Sequence, residues 1–264
     1  MSAYSIYFIG GEKDLKKSKY LIIGAIIGAI LITCGAVFAG TPSDGIESSK
    51  REYLVSSKWN GKVWNVIGDS ITEHNTRTHK NYQDYIQDNI GCVVNNYGVS
   101  GTGWRTPSVA GGSDAFYQRL DSLDPKADLI TVFGGTNDWA EVGTKFVLGS
   151  FGDTDPKKSF YGAVDYTIRQ LINKYPTKTI VVFTPLPREN PWAVNNGVTL
   201  EQVSDAIIKV SKHYSVPVLD LYHESNVYAW NADYRNYALP DGLHPNDNGH
   251  KELADKILTF INTL

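Results

Sequence analysis

The chain predicts a three-layer α/β fold, with a five-stranded parallel sheet and helices on both faces. Two observations carry this expectation. From residue 63 onward, short apolar runs rich in β-branched residues alternate with amphipathic stretches of helical length, the pattern of repeated strand–helix crossovers. Polar, glycine-bearing motifs follow those runs, at what becomes the carboxyl edge of the sheet, where open parallel sheets bind their ligands.

Val63 to Ile67 is the first strand and runs into Gly68-Asp69-Ser70-Ile71-Thr72. Tyr82, Tyr85, Ile86 and Ile90 recur at helical spacing. Cys92 to Tyr97 is the second strand and leads into a glycine-rich loop, Gly98 to Gly103. Ala115 to Leu123 is expected to be a helix, and Asp128 to Phe133 the third strand, ending at Gly134-Gly135-Thr136-Asn137-Asp138. Val142 to Lys158 has no period and reads as a surface excursion. Phe160 to Lys174 is helical, and Thr179 to Phe183 is the fourth strand, stopped by Pro185 and Pro187. Leu200 to Tyr214 is helical and Val216 to Leu221 is the fifth strand. A long aromatic loop leads to Asp241-Gly242-Leu243-His244-Pro245, and Asn248 to Leu264 closes the chain as a helix. Five strands joined in this way give a flavodoxin-like sheet.

The 264 residues, 42% of them apolar, provide for one full core over residues 59–264 plus an appendage. A net charge of −3 argues against nucleic acid as the main partner. Two cysteines, Cys34 and Cys92, cannot form a disulfide framework.

Residues 1–40 are a separate object, followed by a Ser-, Gly- and Pro-bearing linker over 41–58. Lys13, Lys16, Lys17 and Lys19 precede Tyr20 to Ala39, an apolar run without charge and without a polar face. As a helix it covers about 30 Å, enough to span a bilayer. Lysines before it put the N-terminus in the cytoplasm and the remainder outside, so the globular domain is expected to be membrane-anchored and extracytoplasmic, or secreted. Three export fates fit: an uncleaved anchor, a signal peptide cleaved after Val37-Phe38-Ala39, or a lipoprotein signal at Leu31-Ile32-Thr33-Cys34.

A serine at the end of a buried strand, beside a glycine, has its hydroxyl lifted out of the sheet. That suits a nucleophile only if a base takes its proton, and His244 is the candidate. Each motif also has a plainer reading. Ser70 could cap a helix, Asn137 and Asp138 could make an Asx turn, and Gly98 and Asp241-Gly242 are ordinary turn chemistry. Four such segments reaching one sheet edge are harder to explain as turns. Asp69 reads as a structural hydrogen-bonding partner. Ser100, a rival nucleophile, has no strand directly before it. His74, His79, His213, His223 and His250 show no metal-ligand spacing, so neither a metal site nor a cofactor is expected.

Gly-Asp-Ser at 68–70, Gly98 in Asn-Tyr-Gly-Val-Ser-Gly, Asn137 in Gly-Gly-Thr-Asn-Asp and Asp-x-x-His at 241–244 resemble, in order, the four blocks of the SGNH hydrolases, or GDSL esterases. The resemblance covers about 64–264; the family's GDSL reads GDSI here. It implies Ser70 as nucleophile, His244 as general base and Asp241 as its orienting acid. It also implies an oxyanion hole from the Ser70 N–H, the Gly98 N–H and the Asn137 side-chain amide. No Gly-x-Ser-x-Gly elbow occurs. The expected substrate is a small acyl ester, acetyl, on a glycan. Trp104, Trp139, Trp192 and Trp230, with Tyr228, fall in loops after the strands and could stack on sugar rings or pack as lids. The alternatives are a lipid or lysophospholipid esterase, and a non-catalytic, surface-anchored glycan-binding module.

Overall fold

Four strands, β1 (Val63–Gly68), β2 (Val93–Gly98), β3 (Leu129–Phe133) and β4 (Thr179–Phe183), are followed by a small antiparallel hairpin, β5 (Val194–Asn195) and β6 (Val198–Thr199), and by β7 (Val218–Leu219). The main sheet is wholly parallel, in the order β2-β1-β3-β4-β7. This is the flavodoxin-like order: the chain leaves β1 for one side, returns, and continues on the other, opening a crevice at the carboxyl ends of β1 and β3. The computed structural model describes residues 57–107, 114–140 and 145–264, all within one unit, Lys50–Leu264. The export segment expected over 1–40 and the linker as far as residue 56 lie outside the described residues. Among the described residues, no helix is long and apolar enough to cross a membrane.

The helices are α1 (Tyr82–Ile90), α2 (Thr136–Trp139), α3 (Phe160–Lys174), α4 (Leu200–His213), α5 (Leu221–Glu224), α6 (Ala232–Ala238) and α7 (Asp247–Ile261). Side chains alternate across each strand, so the sheet fills two cores. Ile67, Ile130, Val132, Ile180 and Val182 pack on one face with Phe160, Val164 and Ile168 of α3 and Val203 and Ile207 of α4. Trp64, Val66, Leu129, Phe133, Val181 and Phe183 pack on the other with Tyr82 and Ile86 of α1 and Leu253 and Ile257 of α7. Each large apolar side chain so buried contributes roughly 1.5–3 kcal/mol.

Three elements differ from the sequence reading. The stretch expected as a helix over Ala115–Leu123 is two 3₁₀ turns, Phe116–Gln118 and Leu120–Ser122. Pro125 lies just beyond and biases Asp124 away from helical geometry, so nothing propagates the first turn. The fifth strand shrinks to Val218–Leu219 because Pro217 has no N–H to give and Asp220 already caps α5, accepting from His223 N–H. The hairpin β5–β6 turns on Asn196-Gly197, both at positive φ (47° and 77°), the two-residue turn that Asn-Gly favours.

Candidate active site

Gly68, Gly98 and Phe133 are in register across β2, β1 and β3, so the segments that follow them leave the sheet at one level. Gly68 is required there: a Cβ would fall 2.1 Å from Thr72 Oγ1 and 2.6 Å from Thr72 Cβ. The next turn is closed by Thr72 N–H and Glu73 N–H donating to Asp69 O, while Ile71 N–H donates to Asp69 Oδ1 at 2.9 Å. Amide side chains fix it from outside. Asn75 Nδ2 donates to Ser70 O, Asn81 Nδ2 to Ile71 O, and Gln83 Nε2 and Asn96 Nδ2 both to Thr72 O. Ser70 sits at the apex of this clamped turn.

His244 arrives from the loop before α7. Its Nε2 lies 2.9 Å from Ser70 Oγ, across 174 residues of sequence. Its Nδ1 lies 2.7 Å from Asp241 Oδ2, and Asp241 Oδ1 accepts from the backbone N–H of His244 (2.7 Å) and Leu243 (3.0 Å). Gly242, at φ 74°, supplies the left-handed turn between them. Burial works against ionisation of Asp241, but the hydrogen bonds from His244 and Leu243 outweigh it and hold the carboxyl below its usual range. An ionised Asp241 accepts, so His244 carries its proton on Nδ1 and leaves Nε2 as the acceptor facing the Ser70 hydroxyl.

Gly98 packs against the Ser70 turn so closely that a Cβ would lie 2.4 Å from Glu73 N and 2.6 Å from Thr72 C. Its N–H donates to Asn96 Oδ1 at 2.8 Å. Asn137, on α2, is buried, and its Nδ2 donates to Thr102 O at 2.8 Å. The adjacent Asp138 accepts from the N–H groups of Trp104, Arg105 and Thr106, tying the glycine-rich loop to α2. Burial pushes the Asp138 carboxyl up to about 6 and that of Asp69 up to about 7. Arg119 reaches under both segments, donating to Tyr97 O, Gly68 O and Thr102 Oγ1.

The tryptophans divide. Trp104 is fully buried, packed on Phe116 with its indole N–H on Gly134 O, so it offers no face to a sugar; its place in a loop was a misleading signal. Trp139 lines a cavity of about 310 Å³ together with Arg188, Glu189, Asn195, Asp241 and Gly242. Trp192 and Trp230 are exposed. A roomier cavity, about 800 Å³, is lined by Leu219, Tyr228, Tyr234, Phe260 and neighbours and includes none of Ser70, Gly98, Asn137, Asp241 or His244; size alone is a poor guide to the chemistry here. Sequence reading passed over Arg188, Asn96 and Arg119. Arg188 carried a usable signal, since it follows β4 at the ligand-binding edge; a lone Arg119 and one Asn among strand residues carried none. Among the described residues, no group of three or more His, Cys, Asp or Glu could hold a metal ion.

A parallel sheet that holds a hydroxyl against an imidazole at its carboxyl edge has the parts needed for acyl transfer, which points to the ester hydrolases. The sequence profile of the GDSL-like lipase/acylhydrolase family matches residues 66–252, well over half of the chain, and the chain belongs to that family. It is 26% identical to an acetylxylan esterase from Xylanibacter ruminicola in a match covering 74% of this chain and 42% of that protein, so the chain spans less than half of that relative's length. Among solved structures, a protein from Lactobacillus plantarum is 27% identical with a TM-score of 0.69, over 77% of this chain and 98% of the other. A variant of an acetyl xylan esterase from Geobacillus stearothermophilus shares the fold at 20% identity and a TM-score of 0.55, over 76% and 95%.

Proposed function

We propose that the protein removes a small acyl group, acetyl, from a carbohydrate through a Ser70–His244–Asp241 acyl-enzyme mechanism. The observation that carries this is the continuous series from Ser70 Oγ to His244 Nε2 (2.9 Å) and from His244 Nδ1 to Asp241 Oδ2 (2.7 Å). In the first half-reaction Ser70 Oγ attacks the ester carbonyl as its proton passes to His244 Nε2. Asp241 stabilises the imidazolium, which then protonates the departing sugar oxygen as the C–O bond breaks. In the second, water takes the place of the sugar, His244 accepts its proton, and acetate leaves as Oγ is reprotonated.

The oxyanion is received by Ser70 N–H and by the hydrogen of Asn137 Nδ2 that does not serve Thr102 O. Gly98 N–H is the third donor and exchanges Asn96 Oδ1 for the oxyanion, a stronger acceptor because it is charged. Support for a carbohydrate ester is of two kinds. The curated relative is an acetylxylan esterase, and the cavity beside Asp241 is small, has Trp139 in its wall and is rich in polar side chains, which suits a sugar better than a long acyl chain. Turnover of a chromogenic acetyl ester with Ser70→Ala as the blank, followed by acetate release from acetylated xylo-oligosaccharides against acyl lipids, tests the proposal. Faster release from the lipids sinks it.

We also propose that the catalytic domain lies outside the cytoplasmic membrane, on the strength of the lysine cluster and uncharged run at the N-terminus. Added protease should digest it in intact cells; protection of the domain overturns the assignment.

A further inference from the structure

We propose that the cavity between Arg188 and Asp241 is a subsite for a carboxylate borne by the glycan, so that the scissile ester sits on an acidic, uronic-acid-bearing chain. This rests on reading the protein as a glycan esterase. The cavity, about 310 Å³, adjoins the site directly, because Asp241 and Gly242 form part of its wall. Three charged side chains line it, Arg188, Glu189 and Asp241, and their partners differ. Glu189, in the wall, is taken by Arg235, whose Nη2 lies 3.1 Å from Glu189 Oε1. Asp241 is engaged by His244 Nδ1 and two backbone N–H groups.

Arg188 is the exception. Among the described residues it forms no ion pair, and its one hydrogen bond is long, from Nη1 to the neutral hydroxyl of Thr136 at 3.4 Å. Its guanidinium lies over the Trp139 ring, 5.4 Å from the centroid. Such a contact uses none of the guanidinium N–H groups in a conventional hydrogen bond.

A half-buried guanidinium with most of its donors unused is an expensive arrangement unless a ligand completes it. Burial indeed holds Arg188 below its usual range, with Asp241 opposing that effect. The flat N–H fork matches a carboxylate in a bidentate way, and the Trp139 ring beside it restricts its freedom before a ligand arrives. A neutral sugar hydroxyl would accept one of these bonds but would leave the charge unmatched. Asp241 acts on Arg188 only through its field, and the contacts of Glu189 and Asp241 go to other partners.

The test separates this proposal from the esterase reading by measuring binding without turnover. Ser70→Ala protein is titrated calorimetrically with a deacetylated xylo-oligosaccharide carrying one glucuronic acid, and with its neutral counterpart of equal length. The acidic sugar should bind at least about tenfold tighter, and that ratio should fall towards one in Ser70→Ala/Arg188→Gln. Ser70→Ala/Arg188→Lys, which keeps the charge but loses the fork, should retain only part of the ratio. Equal binding of the two sugars, or a preference that survives Arg188→Gln in folded protein, overturns the proposal. So does tighter binding of free succinate than of the acidic sugar, because the carboxylate would then belong to the acyl group. Loss of esterase activity on every acetylated sugar would instead strike the parent reading, and is measured separately with unmodified Ser70.

Discussion

Asn137→Ala separates the chemistry of the site from its architecture, because one side-chain nitrogen serves both. Asn137 Nδ2 gives one hydrogen to Thr102 O at 2.8 Å and, in the mechanism proposed, the other to the oxyanion. Truncation removes both. The lost oxyanion contact should lower kcat by about 10²–10³, or roughly 2.7–4 kcal/mol of transition-state stabilisation. KM should change little, since the bond strengthens only as the carbonyl oxygen gains charge. The second effect falls on stability. Asn137 is 8% exposed, so water does not readily replace it, and a buried carbonyl left unpaired costs about 1–3 kcal/mol. For a domain of this size each kcal/mol lowers Tm by about 2–4 °C, which predicts a drop of several degrees in a protein still folded at 25 °C. Steady-state kinetics on a chromogenic acetyl ester at 25 °C, with thermal melts on the same samples, read both numbers. Asn137→Asp, which keeps the volume but offers an acceptor in place of a donor, should lose at least as much kcat. A rise in KM with kcat spared would make Asn137 a substrate-binding residue and remove it from the oxyanion hole.

Three further outcomes follow from the geometry. Ser70→Ala and His244→Ala should each reduce hydrolysis to near background, and the double variant should be no worse than either alone, because the 2.9 Å pair acts in one step; multiplicative losses in kcat would separate the two residues. Gly98→Ala should destabilise the protein by about 1–3 kcal/mol or more and impair activity, since the new Cβ would press on the backbone of Thr72 and Glu73, next to Ser70; an unchanged Tm would contradict that crowding. His250 is buried, accepts Tyr82 N–H on Nδ1, and is held by burial down at about 4. The native state therefore resists a proton that the unfolded chain accepts near 6.5, so stability is full above pH 6.5 and is lost as pH falls towards 4, by up to about 3 kcal/mol. Relative to His250→Gln, wild type should lose stability over that window in denaturant titrations; a flat difference across pH 4–7 would show that the imidazole is not held neutral.

Much of the fold was legible because its strands are buried on both faces. Asp128–Phe133 and Thr179–Phe183 read as largely apolar runs; the second appears as predicted and the first starts one residue later, at Leu129. Long helices with a single apolar stripe were equally plain, and α3 runs from Phe160 to Lys174 as expected. Failures came where a tertiary contact, not a period, decides conformation. The Phe116–Ser122 segment is held as 3₁₀ turns with Arg119 drawn inward to the carbonyls of Tyr97 and Gly68, 22 and 51 residues away in sequence, and to the Thr102 hydroxyl, and nothing local announces that. At the site, the residue types and their order identified Ser70, Gly98, Asn137, Asp241 and His244 as candidates, and the fold brings Ser70, His244 and Asp241 into hydrogen-bonded series. What residue types could not convey is partnership: that Gly98 N–H already serves Asn96, or that Trp104 is core and Trp192 is surface.

The groups beneath the site explain why so polar a base is retained in the centre of the protein. Asp138 satisfies three successive N–H groups of the loop at 104–106, and Gly103 passes so close that a Cβ would lie 2.1 Å from Asp138 Oδ2. An apolar side chain there would fill the volume and leave those donors unpaired, at about 1–3 kcal/mol each. Asp69 and Asp138 are both pushed upward by burial, and the field of Asp138 raises Asp69 further. The guanidinium of Arg119 opposes the shift of Asp69 and joins Gly68 O, Tyr97 O and Thr102 Oγ1, pinning the ends of β1 and β2 to the loop whose Thr102 carbonyl orients Asn137. The Ser70 turn, the Gly98 edge and the Asn137 amide are thereby set by one connected network, and a change at Asp138 or Arg119 should displace all three together.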